Sequence, residues 1–228
     1  MNRFATAMVK TPAKVPVKIK ISFCIFIYAV VMACVKRRID GIFCLIAVIF
    51  CFAGDVALNH RKNHNEQTSK DFKIGMIMFM IAHVLYSITY YARMLNEYPQ
   101  VVDRGCNWLV FLVVDVFLIL TITETIGERL DFGKYEFAII LYMAVISTSF
   151  SMTFCYANIA KSISSLACVG GAALVISDLI IAIEKFAHYK TQKTRVMVWV
   201  TYIVGQILMI TFAWSVKDGL KYSHLFYF

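Results

Sequence analysis

The chain has 228 residues, of which 60% are hydrophobic and 16% charged, and its net charge is +9. Soluble domains hold about 25% charged and about 45–50% apolar residues, so this balance, with a mean hydropathy of +0.70, excludes an ordinary soluble core. The basic residues lie mostly between apolar segments and no basic domain or recognition motif is present, so they read as loops that set topology and meet anionic lipid, with no nucleic-acid partner.

Glycine (10) and proline (3) are too scarce for a turn-rich β-barrel, and long apolar runs dominate over alternation. The expected fold is therefore all-α, a polytopic bundle of membrane helices. Six of the seven cysteines fall inside apolar segments and none forms a C-x-x-C pair. That pattern argues against a disulfide framework and a zinc site, and no metal or cofactor is expected.

In chain order, residues 1–16 form a basic lead-in with Pro12 and Pro16, residues 17–216 a single transmembrane domain, and residues 217–228 a short tail. The first apolar run covers residues 21–35. No small-residue cleavage site follows it, so it reads as a membrane helix and not a signal peptide. Residues 17–20 are expected to extend it, with Lys18 and Lys20 snorkelling to the interface. Six more segments follow, at residues 41–59, 72–93, 107–126, 135–158, 162–186 and 195–215. Each has the ~20 residues a helix needs to cross a bilayer. Lys and Arg concentrate on the side of the N-terminus and of the loops after spans two, four and six. The positive-inside rule then puts the N-terminus in the cytosol, although Lys36-Arg37-Arg38 opposes it.

Ionisable groups inside spans are costly and usually functional. Asp55, in Gly54-Asp55-Val56-Ala57-Leu58, and Asp178, in Ser177-Asp178-Leu179, both lie toward the expected cytosolic ends of spans two and six. Asn59, four residues on, shares the face of Asp55. Span three carries a stripe of His83, Tyr86 and Tyr90, and span seven one of Trp199, Tyr202 and Gln206. Twenty-eight residues separate Asp55 from His83 and also Asp178 from Gln206 (83 − 55 and 206 − 178). This suggests two equivalent hairpins facing each other across an axis along the membrane normal, with both acids, His83 and Gln206 around one cavity. A packing hydrogen bond is the plainer reading for either acid alone. Asp115 in span four is a third candidate, while Glu124 and Glu184 sit near a boundary. Met76, Met78 and Met80 read as core, or as a soft surface for an alkyl chain. No phosphate-binding glycine loop, nucleophile elbow or H-E-x-x-H motif is present.

Gly54-Asp55-x-x-Leu58 followed by Phe72-x-x-Gly75-x-x-x-Phe79-x-x-x-His83-x-x-Tyr86 resembles the front signature of the YhhN membrane proteins, the lysoplasmalogenase family. Gly171-Ala172-x-x-x-x-Ser177-Asp178 with Phe186 resembles its second signature, and Tyr202-x-x-x-Gln206 its last helix. The ordered set covers roughly residues 14–214. The family is usually described with eight membrane helices against the seven read here, the difference falling before Val17.

The resemblance implies a hydrolase of the vinyl ether bond of lysoplasmalogens, releasing a fatty aldehyde and a glycerophospho-choline or -ethanolamine, in the endoplasmic reticulum membrane. Its partners are the lysophospholipid substrate and membrane lipid. Vinyl ethers hydrolyse by protonation of the β-carbon and capture of the resulting oxocarbenium-like ion by water. Two carboxyls, Asp55 and Asp178, can divide that work as paired carboxyls do for sugar acetals. Which is acid and which is base stays open; greater depth favours Asp178 as donor. Asn59, His83, Tyr86, Tyr202 and Gln206 then orient water and the glycerol oxygens. Arg61, Lys62 and Lys73 are candidates for the phosphate, although solvated loop charge is the plainer reading. The alternative is a proton-coupled transporter of small molecules or lipids with the acids as relay. A seven-helix receptor has no signature here.

Overall fold

A computed structural model describes residues 17–36, 40–59, 69–100, 106–126, 135–160, 163–186 and 191–215. The described residues form seven long α-helices: α1 (Val17–Lys36), α2 (Asp40–Asn59), α3 (Ser69–Glu97), α4 (Cys106–Ile126), α5 (Glu136–Ala160), α6 (Leu166–Phe186) and α7 (Gln192–Ala213). A short 3₁₀ turn, Ile163–Ser165, leads into α6. Apart from α4, all are long and apolar enough to cross a membrane. The described side chains of α4 contribute a shorter apolar stretch, Phe111–Thr121. In a medium without water, backbone groups must pair within the segment, so apolar runs of this length settle as helices. Outward faces stay apolar, as at Phe117, Phe137, Ile163 and Val196, which suits lipid and not water. The chain is a multi-pass helical membrane protein.

The expected segments appear as expected helices, with shifted ends. α1 begins at Val17, and α3 runs from Ser69 to Glu97, longer at both ends than its apolar run. At 1.5 Å per residue its 29 residues exceed a ~30 Å hydrocarbon core. The lead-in, the Arg61 and Lys62 candidates and the tail lie outside the described residues.

Two tight hairpins, α2–α3 and α6–α7, carry the acids. In the first, the faces of Gly54 and Gly75 receive side chains from the opposite helix. A Cβ on Gly54 would come within 2.9 Å of the Phe79 ring, and one on Gly75 within 2.7 Å of Leu58. The front signature is thus a set of mutual packing partners. In the second hairpin the backbones themselves approach. A Cβ on Gly170 would meet the Met209 nitrogen at 3.1 Å and the Gly205 oxygen at 3.2 Å. Small residues permit such contact, and in lipid close packing is a main source of helix association. α5 packs on α3 and α6, and α1 covers α2 and α7.

The end of the bundle away from both acids is tied by a buried arginine. Arg93 donates to the Ala213 carbonyl at 2.7 Å, to the Tyr156 hydroxyl at 2.9 Å and to Glu97 at 2.5 Å. One charge, fully buried, thereby holds α3, α5 and α7 together.

Because backbone faces Gly170, replacing it with leucine has no flexible neighbour to displace. Gly170→Leu is expected to cost about 1–3 kcal/mol, a fall in Tm of roughly 2–12 °C for a chain of this size. Thermal unfolding in detergent measures it, and an unchanged Tm would refute the close α6–α7 approach.

Candidate active site

Asp178 sits two turns before the end of α6, where α3 and α5 bring it two donors. Tyr142 of α5 donates its hydroxyl to Oδ2 at 2.8 Å. His83 Nε2 of α3 lies 3.0 Å from the same oxygen. That oxygen is already an acceptor, so the geometry assigns the proton of a neutral His83 to Nε2. His83 Nδ1 is buried and has no hydrogen-bond partner among the described residues. Oδ1 of Asp178 has none either, so both donors hold one carboxyl oxygen and leave the other open. Asp178 and Tyr142 line a narrow cleft that is partly open to the surroundings. The rest of its wall is apolar, including Leu58, Met76, Phe79, Ile146 and Leu179.

Asp55 is fully buried on α2 and lies outside that lining. Ser22 of α1 donates to its Oδ2 at 2.5 Å, and Tyr202 of α7 donates to the same atom at 2.7 Å. Lys18 Nζ sits 2.8 Å from Oδ1 and 5.8 Å from the centre of the Tyr202 ring. Lys18 therefore does not snorkel outward as expected from its place at a helix end. A buried carboxylate on the neighbouring helix α2 draws it inward, because leaving that charge unpaired costs more than ordering the lysine stem.

The two hairpins do cross-connect, with a register different from the one their equal spacings suggest. His83 reaches the acid of the other hairpin. Its counterpart at the same spacing, Gln206, does not; Tyr202, one turn earlier, does. Gln206 instead accepts from Tyr86 at 2.5 Å and donates to the Cys51 sulfur at 3.2 Å. Cys51 is one turn before Asp55 and lies within electrostatic range of both acids. Phe79 stands between the two halves: its ring borders the cleft, faces Gly54 and meets Tyr202 edge-on at 6.4 Å. The acids thus have separate sets of donors, and the cleft is lined by one of them.

The remaining candidates sort by their contacts. Asn59 caps its own helix, donating to the Asp55 carbonyl at 2.8 Å, with no contact to a carboxylate. Asp115 accepts from Thr148 at 3.2 Å, joining α4 to α5. Glu184 accepts from Thr194 at 2.5 Å, in the capping box that starts α7. Met76 lines the cleft, whereas Met78 and Met80 do not. Three partners of the acids escaped sequence reasoning: Lys18, Ser22 and Tyr142. For the first two a signal exists, since spacing of four places them on one face of α1. Tyr142 stands in a run with no polar stripe to mark it.

Among comparisons with known proteins, the sequence model of the YhhN family matches residues 14–213. No curated protein and no solved structure shows a significant match.

The Lys18–Asp55 contact is open to a double-mutant cycle. The Lys18 side chain is 19% exposed, so Lys18→Met is expected to cost about 1–3 kcal/mol, below the ~3–5 of a fully buried pair. Asp55→Asn in the same chain should recover part of that loss. Unfolding free energies that simply add across the cycle would show that the two side chains do not interact.

Proposed function

Because the chain belongs to the YhhN family, we propose that it is a membrane hydrolase of lysoplasmalogens, converting the vinyl ether and water to a fatty aldehyde and a glycerophospho-base. The observation that carries this reading is a carboxyl in the lining of an otherwise apolar cleft, with two donors on one of its oxygens and none on the other among the described residues. Such a cleft accepts an alkenyl chain and brings its one polar end to one acid.

The cycle starts with the proton on Asp178 Oδ1. That proton passes to the β-carbon of the vinyl ether, and the double-bond electrons form the new C–H bond. An oxocarbenium-like ion remains on the carbon bearing oxygen. Asp178, now a carboxylate, stabilises that charge, while the Tyr142 hydroxyl and His83 Nε2–H hold its Oδ2 in place. Water attacks the cationic carbon and returns one proton to Asp178. The hemiacetal then collapses, its hydroxyl proton moving to the departing glycerol oxygen. One water is consumed and the acid is regenerated, so a single carboxyl closes the proton count. In this reading Asp55 is a positioning residue: through Tyr202 and the Phe79 ring it fixes the wall of the cleft. Tyr86 and Gln206 brace α3 against α7 behind His83.

A proton-coupled transporter would favour interrupted helices at the binding site. α2, α3, α6 and α7 each run unbroken past the polar groups, which favours the hydrolase. The same reading keeps the N-terminus cytosolic, from the charge asymmetry of the loops, and the protein in the endoplasmic reticulum, from the family.

Purified protein given a lysoplasmalogen should release aldehyde and leave the homologous acyl lysolipid intact, since that bond offers no carbon to protonate. Asp178→Asn should lower turnover at least ~100-fold, the scale of general acid catalysis, and Tyr142→Phe less. Aldehyde release no greater than that of Asp178→Asn would sink the reading. Equal loss of turnover in Asp55→Asn, with Tm preserved, would return Asp55 to the chemistry.

A further inference from the structure

The mouth of the cleft carries a feature that the chemistry at Asp178 leaves unused. Phe72 and Phe186 line the cleft, and with Tyr135 they form a three-ring collar. Phe72 meets Tyr135 and Phe186 edge-on, each at 6.0 Å, and Tyr135 lies 6.4 Å from Phe186. Two ammonium groups sit over this collar: Lys185 Nζ is 5.0 Å from the Phe72 centroid and Lys73 Nζ 5.5 Å from that of Tyr135. Cation–π contact holds a lysine head in place without neutralising it. Among the described residues neither ammonium is within ion-pairing distance of a carboxylate, and Glu184, next in sequence to Lys185, is engaged by Thr194.

We propose that Lys73 and Lys185 form a phosphate subsite at the cleft mouth, selecting single-chain lipids that carry a glycerol-linked phosphate. The proposal deepens the reading of the cleft as a lysolipid site. Its second support is a length match. Lys185 lies seven residues beyond Asp178 on one helix, about 10 Å along the axis. In a glycerol lysophospholipid the phosphorus is five bonds from the ether oxygen, about 6 Å when extended. Adding one contact of ~3 Å between ammonium and phosphate oxygen spans the interval between the open Asp178 oxygen and the collar. A phosphate clasped at the mouth therefore brings the ether end of the chain to Asp178 and leaves the hydrocarbon to the apolar wall. Lysine suits this role as a compact charge on a flexible stem; one ammonium offsets the single charge of a phosphodiester, and the second supplies further donors.

The test is equilibrium binding to the purified full-length chain in neutral detergent, with two ligands that cannot be hydrolysed as vinyl ethers: a 1-alkyl lysophosphatidylcholine and the matching 1-alkylglycerol. The wild type should bind the phosphate-bearing lipid about tenfold or more tightly than the alkylglycerol, the scale of a hydrogen bond to a charged group. The Lys73→Gln/Lys185→Gln variant should lose that difference while its affinity for the alkylglycerol stays the same, and Lys73→Arg/Lys185→Arg should retain it. Inorganic phosphate at millimolar concentration should leave the lipid bound. Discrimination that survives in the glutamine variant overturns the subsite, as does an equal loss for both ligands, which would mean the rings had moved. Displacement by inorganic phosphate would mark a free-anion site and overturn the lipid assignment. Binding is read without turnover, so a protein that discriminates phosphate and releases no aldehyde would overturn the hydrolase and leave the subsite standing.

Discussion

A carboxylate taken out of water has to be given donors by the protein, and the arrangement of this bundle follows from where those donors come from. Asp55 draws its donors from α1 and α7, which are far from it in sequence: Lys18, Ser22 and Tyr202. The isolated charge would cost several kcal/mol or more in such surroundings. Its satisfaction therefore fixes α1 against α2 and sets the rotation of α7. Apolar contact alone does not choose such a register in lipid, because the tails are as apolar as leucine.

The same requirement operates at both ends of the bundle. Arg93 at one end and Asp55 at the other each recruit partners from two further helices. α3 and α7 are common to both sets, once the Tyr86–Gln206 bond is counted beside the Tyr202 contact. Between the ends, hairpin packing rests on glycines that let Phe79, Leu58 and whole backbones come close. Polar contacts set register and rotation, and small residues set distance. Both acids hold two donors on one oxygen, but Asp178 departs from the pattern at the other: Lys18 pairs with Oδ1 of Asp55, and no described residue pairs with Oδ1 of Asp178. A residue with only a structural task would be expected to have both oxygens engaged, as Asp55 does.

Much of this was legible in the sequence because hydrophobic run length and helical spacing are local quantities. The seven segments appear as seven helices, and the stripe logic placed His83, Tyr86, Tyr202 and Gln206 on faces that do meet other helices. The partner of each was not legible. Equal 28-residue spacings suggested Gln206 opposite Asp55, yet Tyr202 fills that place. How far one helix of a hairpin is shifted along the other depends on contacts such as Gly170 with Met209, which sequence spacing does not record. Lys18 was misjudged for a related reason: its depth is ambiguous until the carboxylate beside it is known. Tyr142 carried no signal, as a single hydroxyl in an apolar run is common and its value depends on α6 lying opposite.

Phe79 partitions the surroundings of the two acids. Its ring borders the cleft on one side and touches the Asp55 cluster through Gly54 and Tyr202 on the other. Were Gly54 to carry a side chain, the ring would be pushed toward the cleft and narrow it. Were Tyr202 to lose its hold on Asp55, the ring would lose its edge contact. The Gly54-Asp55 pair thus touches the cleft through packing, while Asp178 lies in its lining. The two acids thus differ in whether a neighbouring helix supplies a partner for the second carboxyl oxygen, as α1 does for Asp55 through Lys18.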